Sequence, residues 1–491
     1  MKQIIIKSFS YIILALMAYA CNFSDGISIS ENPYKDDYSD ITPLSNRDLW
    51  GAANVHDPAI IKSGEYYYVY STDAYYHKRG VEFNDIGKNI GNIPIRKSKD
   101  LVNWEFIGWA LDTIPAAAVE HIHNLTGGNG ADNMWAPFVY KYENTYRLYY
   151  SVSSFGANTS VIGLATALSP EGPWTDLGIV IKTSPEDPMN AIDASVITDK
   201  KNGRMWMHYG SYFDGLYCVE LDPKTGFTKK EGDLGHLVAT RGEYKTRIIE
   251  APEITYNAEL DQYYLFVSYE PLFTYYNIRV GRSDSPEGPF YDYFGNNMAD
   301  TTNNFPILTH SYRFRNHPGW SGNGHNAILN DNGRFFVLHQ GRLAPENLMM
   351  IMHVREIKWL PDGWPVFSPQ RYAGEFPDIS IRSKDLVGKW EIIHLNDLPD
   401  QVELWQGQIP PGGWTYKDEA FNTSEIVQFG RNGAINHRLA SQWSFDGDVL
   451  YLDDSFCAIF YGWDWENQKP ALLFSGILPD GSGIWGKKID D

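Results

Sequence analysis

DPAIIKSGEYYYVYST, residues 57–72, recurs in altered form as WAPFVYKYENTYRLYYSV (135–152), DASVITDKKNGRMWMHYGS (193–211), APEITYNAELDQYYLFVSY (251–269) and HNAILNDNGRFFVLHQG (325–341). Each segment opens on a small or acidic turn, runs through a short apolar stretch, turns at Gly, Asn or Asp, and returns as alternating aromatics. That is the pattern of a β-hairpin with one buried face. A second set of strand pairs lies between them: IPIRKSKDLVNWEFIG (93–108), IGLATALSPEGPWTDLG (162–178), GLYCVELDPKTGF (215–227), IRVGRSDSPEGPFYD (278–292) and MIMHVREIKWLPDGWPV (350–366). Inner and outer hairpins that alternate in this way, without a sustained helical period, predict an all-β fold with a five-bladed β-propeller at residues 47–376. A β-sandwich would not explain the alternation.

The pattern breaks near Phe376 to Lys384 and restarts as LVGKWEIIHL (386–395), followed by SEIVQFG, SQWSFDGDVLYL, CAIFYGW and ALLFSGIL. Short strands separated by Gly, Asn and Asp turns predict a second, smaller β domain at 385–491, a barrel or a curled sheet. Its opening GKW resembles lipocalin-like barrels. No compact acid cluster stands out in it, so a stabilising or substrate-orienting part is expected.

At the other end, Lys2 and Lys7 precede an apolar run from Tyr11 to Ala20 that is too short to span a bilayer. Residues 1–20 are read as an export signal. Ala18 and Ala20 before Cys21 look like the cleavage site of a bacterial lipoprotein, with Cys21 as the acylated first residue; ordinary secretory cleavage nearby is the alternative. Residues 21–46, polar and without periodicity, are read as a tether. The protein is then lipid-anchored in the cell envelope and meets the membrane only through Cys21. Cys218 and Cys457 lie too far apart in sequence to suggest a disulfide framework.

The formal charge of −20 argues against nucleic acid and mildly against a polyanionic substrate. A neutral polysaccharide fits better, met by a monomer. Aromatic residues make up 15% of the chain, which suits both blade packing and stacking against sugar rings.

Asp57 in NVHDPAI, Asp193 in NAIDASV and Glu250 in IEAPEI stand at the starts of the first, third and fourth inner strands. Inner strands of a propeller converge on one channel, so these carboxyls should gather there. Convergent carboxyls are the equipment of glycoside hydrolysis, and inversion needs one protonated carboxyl beside the leaving oxygen and one carboxylate to activate water. Glu250, flanked by Ala251 and Pro252, is the expected proton donor, Asp57 the base, and Asp193 the group whose charge raises the pKa of Glu250. Taken singly, each has a plainer reading: Asp57 in a turn, Asp193 capping a strand, Glu250 paired with Arg247. Their conjunction favours chemistry.

NVHDPAI, MWAPFV, NAIDAS, HYGSYFDGLY, IEAPEI and GNGHNAI together resemble glycoside hydrolase family 43, most closely its endo-α-1,5-L-arabinanases. The resemblance implies an inverting five-bladed propeller with Asp57 as general base, Asp193 as pKa modulator and Glu250 as general acid. It also implies that His325 holds a calcium ion, with water completing the shell, because calcium prefers oxygen. A histidine hydrogen-bonded without metal is the alternative.

Sugar subsites are expected from His56, Trp135, Phe155, Tyr212, Phe213 and Trp320, with Asn190 and Ser211 offering hydrogen bonds. Trp135 suits blade core equally well. The segments Lys78 to Asn92 and Gly127 to Asp132 are long enough to shape the groove, so endo and exo action both stay open. The alternatives are an exo-acting arabinofuranosidase or xylosidase of the same fold, and a non-catalytic glycan-binding propeller.

Overall fold

The alternation of aromatic and small residues becomes a ring of antiparallel sheets. The computed structural model describes residues 44–73, 91–242, 248–272, 275–300, 303–344, 350–377, 379–398 and 421–489. The export signal, Cys21, nearly all of the tether and nearly all of the Lys78 to Asn92 segment lie outside the described residues, as does Arg247.

The first sheet holds β1 (Ala59–Ser63), β2 (Tyr66–Tyr70), β3 (Asn92–Ser98) and β4 (Glu105–Leu111) in that order, and the second holds β5 (Trp135–Tyr142), β6 (Thr145–Ser153), β7 (Ser160–Ala167) and β8 (Thr175–Thr183). A third comprises β9 (Ser195–Thr198), β10 (Met205–Tyr209), β11 (Leu216–Leu221) and β12 (His236–Ala239). The fourth has β13 (Ile249–Asn257), β14 (Gln262–Tyr269) and β15 (Asn277–Ser283).

The last repeat does not form a separate blade. Its strands β18 (Asn326–Asp331), β19 (Arg334–Leu343), β20 (Met350–Trp359) and β21 (Pro365–Phe367) belong to a seven-stranded sheet. That sheet also takes in β16 (Tyr312–Arg313), β17 (Trp320–Ser321) and β23 (Asn422–Thr423) from beyond the repeat. The expectation of five equal four-stranded blades is therefore corrected to four separate blades, one of them three-stranded, and a shared sheet.

In the fourth blade the outer strand is replaced by a folded loop. Arg282 pairs with Tyr291, and Tyr291 with Asn297, as isolated bridges. The Met298 side chain lies so close to Gly281 that an added Cβ would meet its sulfur at 2.1 Å. A chain packed flat on β15 in this way leaves no room for a regular fourth strand.

Innermost strands pack edge to edge around the axis, β1 on β5, β5 on β9, β9 on β13, β13 on β18 and β18 on β1. A helix, α1 (Ala116–Thr126), interrupts the connection from β4 to β5 and packs on β6, β7 and β8. No helix is expected from the sequence pattern. Only Ala118 and Ile122 of α1 are buried, so its apolar periodicity spans a single turn and does not register.

The C-terminal domain is a closed barrel in the order β22 (Gly388–Leu395), β24 (Glu425–Phe429), β25 (Ala434–His437), β26 (Ala440–Phe445), β27 (Val449–Leu452), β28 (Ser455–Asp464), β29 (Lys469–Ile477) and β30 (Gly483–Ile489). One apolar cluster runs from Trp50 through Phe266 and Val337 to Ile393, Leu395 and Trp485, so the barrel shares its core with the propeller. Cys218 and Cys457 are both buried free thiols. Among the described residues no helix is long and apolar enough to cross a membrane.

Charge is buried along the seam between the two domains. Lys487 Nζ donates to Asp464 Oδ1 at 2.8 Å and Glu466 Oε2 at 2.7 Å, and Glu466 Oε2 also accepts from Gln370 Nε2 at 2.7 Å. Trp465 Nε1 donates to the Arg371 carbonyl at 2.8 Å. Replacing Lys487 by Met leaves these carboxylates buried without their cation, which costs about 3–5 kcal/mol for a pair broken this way. Denaturant unfolding of Lys487→Met is expected to show a loss of that size, and an unchanged midpoint would contradict the buried-latch account.

Candidate active site

Five residues at the starts of the inner strands take left-handed backbone: Asp57 at φ 47°, Ala136 at 37°, Asp193 at 61°, Ala251 at 55° and His325 at 46°. None is glycine, so each is held at a cost of about 1–3 kcal/mol that its surroundings must offset. The offset is visible at their backbone N–H groups. Asp57 N–H donates to Gln340 Oε1 at 2.9 Å, Ala136 N–H to Thr72 Oγ1 at 2.7 Å and Asp193 N–H to Ser151 Oγ at 3.2 Å. Ala251 N–H donates to Asp193 Oδ2 at 3.1 Å, and His325 N–H to Ser268 Oγ at 2.9 Å. Each acceptor belongs to the preceding repeat, so the bonds run round the axis. Left-handed backbone in turn swings the following strand into the blade and leaves the side chain at the channel.

These bonds connect the acids. His325 Nδ1 lies 3.0 Å from Asp57 Oδ1, and Thr72 Oγ1 donates to Asp57 Oδ2 at 2.6 Å. Ser211 Oγ donates to Glu250 Oε2 at 2.7 Å, and the Tyr276 hydroxyl is also hydrogen-bonded to Glu250. Tyr276 reaches it because Gly324 has no side chain: an added Cβ would stand 2.3 Å from the tyrosine ring. Asp193 is tied to Glu250 through the next residue, Ala251.

Burial and charge then separate the carboxyls. Burial alone would raise Asp57, but His325, by charge and hydrogen bond, outweighs it and holds the group down at about 2. Asp193 is pushed up to about 8 by burial, against the pull of His325 and with the charges of Glu250 and Asp57 adding to the rise. Glu250 is raised by burial, although Ser211 and Tyr276 favour its ionised form. Burial would lower His325, yet Asp57 brings it up to about 9. One carboxylate is thus firmly ionised while the other two carboxyls retain protons more strongly than usual, which is the division that acid–base chemistry requires.

The remaining expected site residues divide into groups. Phe155 is 62% exposed and meets Trp135 edge-on at 6.3 Å, while Trp135 Nε1 donates to Asn133 Oδ1 at 2.6 Å. Phe213 is exposed, beside a half-buried Tyr212, and both have left-handed backbone. Each of these four aromatics has accessible surface. His56 is buried, and burial together with the charge of Arg342 lowers it to about 3, so it is neutral. Asn190 is also buried and accepts from Ser160 Oγ at 2.5 Å, which makes it a strut between the second and third blades.

Two expectations need correcting. Ser211 spends its hydroxyl on Glu250, so it positions the acid instead of greeting the sugar. Trp320 is 1% exposed, stacked on His317 at 5.7 Å, meeting His353 edge-on at 4.4 Å and lying 5.0 Å from the Arg371 guanidinium. With both faces covered it cannot serve as a platform.

A calcium ion caged by protein oxygens does not fit this site. Among the described residues no three His, Cys, Asp or Glu side chains form a group that could hold a metal. His325 engages Asp57 through Nδ1, so only Nε2 of a neutral ring could ligate an ion. The donor set fits only an ion that carries a shell made mostly of water.

The family model for glycosyl hydrolases family 43 matches residues 51–365, and that for a C-terminal lipocalin-like domain matches residues 369–486. The chain is 27% identical over 489 residues to the extracellular endo-α-(1→5)-L-arabinanase of Thermotoga petrophila, covering 89% of this chain and 94% of that protein. It is 30% identical over 330 residues to the extracellular exo-α-(1→5)-L-arabinofuranosidase ArbA of Cellvibrio japonicus, covering 64% of this chain and 86% of the relative. The crystal structure of endo-1,5-α-L-arabinanase from Thermotoga petrophila superposes with a TM-score of 0.72 at 25% identity, over 89% of this chain and 99% of that one.

Two residues near the carboxyls are missed by sequence reading. Tyr276 carries no local signal, since its role depends on the gap at Gly324. Glu253 lies three residues after Glu250 and is easily taken for an ordinary strand residue. It is buried, accepts from Ser195 Oγ at 2.8 Å and from Ile328 N–H at 3.1 Å, and so ties β9, β13 and β18 together just below the carboxyls. Burial raises it to about 7. Glu253→Ala strands a buried hydroxyl and a buried N–H, at about 1–3 kcal/mol each. The expected unfolding series is a large loss for Glu253→Ala and a much smaller one for Glu253→Gln, which keeps an acceptor; equal losses would contradict the hydrogen-bonding role.

Proposed function

The chain belongs to glycosyl hydrolases family 43, and on that premise we propose that it hydrolyses internal α-1,5-L-arabinofuranosidic bonds of arabinan with inversion at the anomeric carbon. The observation that carries the reading is the pairing of an ionised Asp57, held by His325 and Thr72, with a proton-retaining Glu250 in one hydrogen-bonded ring of strand starts.

In this mechanism the Asp57 carboxylate takes a proton from water as the water oxygen attacks the anomeric carbon. Glu250 gives its proton to the leaving glycosidic oxygen, so the departing sugar leaves as an alcohol. Asp193 acts through its bond to Ala251 N–H, which fixes the backbone beside Glu250, and through the repulsion that opposes ionising both carboxyls together, so that the pair retains a proton. Phe155, Trp135, Phe213 and Tyr212 supply apolar faces for the sugar rings. Were a water-shelled calcium ion held on His325 Nε2, the ring would have to be neutral with its Nδ1–H kept on Asp57, and the ion would supply the positive charge beside the carboxyls.

Export is supported by the extracellular naming of the relatives and by the apolar run at Tyr11 to Ala20, and acylation of Cys21 is proposed from the small residues before it. Exo action is the second reading, favoured by the likeness to the Cellvibrio enzyme. Debranched arabinan digested over time distinguishes them: mixed oligosaccharides are expected, whereas arabinose as the sole early product would overturn endo cleavage. Asp57→Asn should remove turnover on every substrate, with activated leaving groups giving no rescue.

The dependence on pH follows from the shifts. Asp57, lowered to about 2, stays ionised throughout the working range, so it gives no acid limb near neutrality. Glu250 is raised, so activity should persist until rising pH strips its proton. Asp193 and Glu250 oppose each other's ionisation, so Asp193→Asn, which removes that repulsion, is expected to move the alkaline limb of kcat/KM to lower pH. A limb that stays in place or moves upward would contradict the coupling.

A further inference from the structure

The end of the propeller away from the carboxyls carries a separate cleft. β18 starts beside His325 and ends at Asp331, β19 turns back from Arg334, and the pairing of Phe336 with Glu356 brings the end of β20 to the same level. At about 3.3 Å per residue, that length of strand puts the far end roughly 20 Å from His325. Here a cleft of about 390 Å³ opens at the seam with the barrel, lined on the propeller side by Arg334, Glu356, Lys358 and Glu375 and on the barrel side by Phe460 and Tyr461.

Three observations indicate what it can take. Its charges are already matched: Arg334 lies 2.6 Å from Glu375 and 3.4 Å from Glu356, and Lys358 lies 2.8 Å from Glu356. Arg371 also lines the cleft, but its guanidinium lies against the Trp320 and Trp465 rings, 5.0 and 5.3 Å from their centroids; the two cations held by two carboxylates present fixed donors and acceptors suited to hydroxyl groups. Aromatic surface stands opposite them, with Lys358 Nζ 5.0 Å from the Phe460 ring centroid. Finally, β28 loses the alternation expected of a barrel strand, because every residue from Ala458 to Trp463 is half-buried. A filled seam would bury the outward residues and an open face would expose them. The volume lies within the range of small-ligand clefts.

We propose that this cleft is a second carbohydrate-binding site, which takes a stretch of neutral oligosaccharide and holds the polymer on the side of the molecule away from the catalytic carboxyls. The choice of arabinan as the polymer rests on the hydrolase reading; the cleft's chemistry does not. Phe460 supplies the stacking face, and the Arg334, Glu356 and Glu375 group the hydrogen bonds.

The test is affinity electrophoresis of the full chain through gels that contain debranched arabinan, in a Glu250→Gln background so that the polymer stays intact. Phe460→Ala and Glu375→Ala are each expected to weaken retardation by at least about fivefold, the scale of one lost stacking or hydrogen-bonding contact. With Glu250 restored, both should hydrolyse a short arabino-oligosaccharide at the parental rate. Glu375 is largely exposed, so its variant decides the matter should Phe460→Ala fail to fold. Parental retardation of the folded variants would overturn the proposal. If arabinan retards nothing but xylan or galactan retards the parent and not the variants, the cleft stands and the arabinan reading falls; if no neutral polysaccharide retards the parent, the cleft proposal falls.

Discussion

Everything at the channel depends on backbone that an L-amino acid adopts at a cost. Asp57, Ala136, Asp193, Ala251 and His325 all sit in the left-handed region at equivalent points of the repeat, and each is held there by a hydrogen bond from its N–H to a side chain of the repeat before it. Such strain persists only where the surroundings over-determine it. The chain of bonds closes on itself, since Gln340 of the last repeat receives the N–H of Asp57 in the first. A ring so built sets the positions of its members together: a carboxyl cannot shift without disturbing the strand start beside it.

The same ring explains why two acids and a histidine behave differently at matching positions. His325 is drawn to Asp57 and becomes a cation, which keeps Asp57 ionised at the bottom of a buried site. Asp193 and Glu250 receive no comparable partner, so burial and mutual repulsion keep protons on them. Burial works in the same direction, since Asp57 is half-buried while Asp193 and Glu250 are buried. Below them Glu253 fastens three inner strands, and further out the Lys487 cluster fastens the barrel to the propeller, so the site rests on a continuous, internally bonded frame.

Much of this was legible in the sequence because hairpins declare themselves locally. The inner pairs DPAII/YYYVY and HNAIL/RFFVL appear as β1 with β2 and β18 with β19, and the three acids and His325 stand at strand starts as their motifs indicate. What the sequence hid depends on contacts between distant segments. The fourth blade loses its outer strand to a loop packed by Met298 on Gly281, and the last repeat shares its sheet with β23 from the barrel domain. Trp320 reads as a sugar platform until His317, His353 and Arg371 are seen to cover it. Tyr276 and Glu253 have no local signature, since their roles are set by a missing side chain at Gly324 and by the approach of Ile328.

The central claim is that Asp57 activates water on the face of the sugar opposite Glu250, and its stereochemical consequence can be observed directly. Hydrolysis of an α-1,5-linked arabino-oligosaccharide in deuterated water, followed by proton NMR from the first minutes, reports the anomer released before mutarotation. The account predicts that the β-anomer appears first and then equilibrates. First release of the α-anomer would mean a covalent intermediate, and Asp57 could not then be the base.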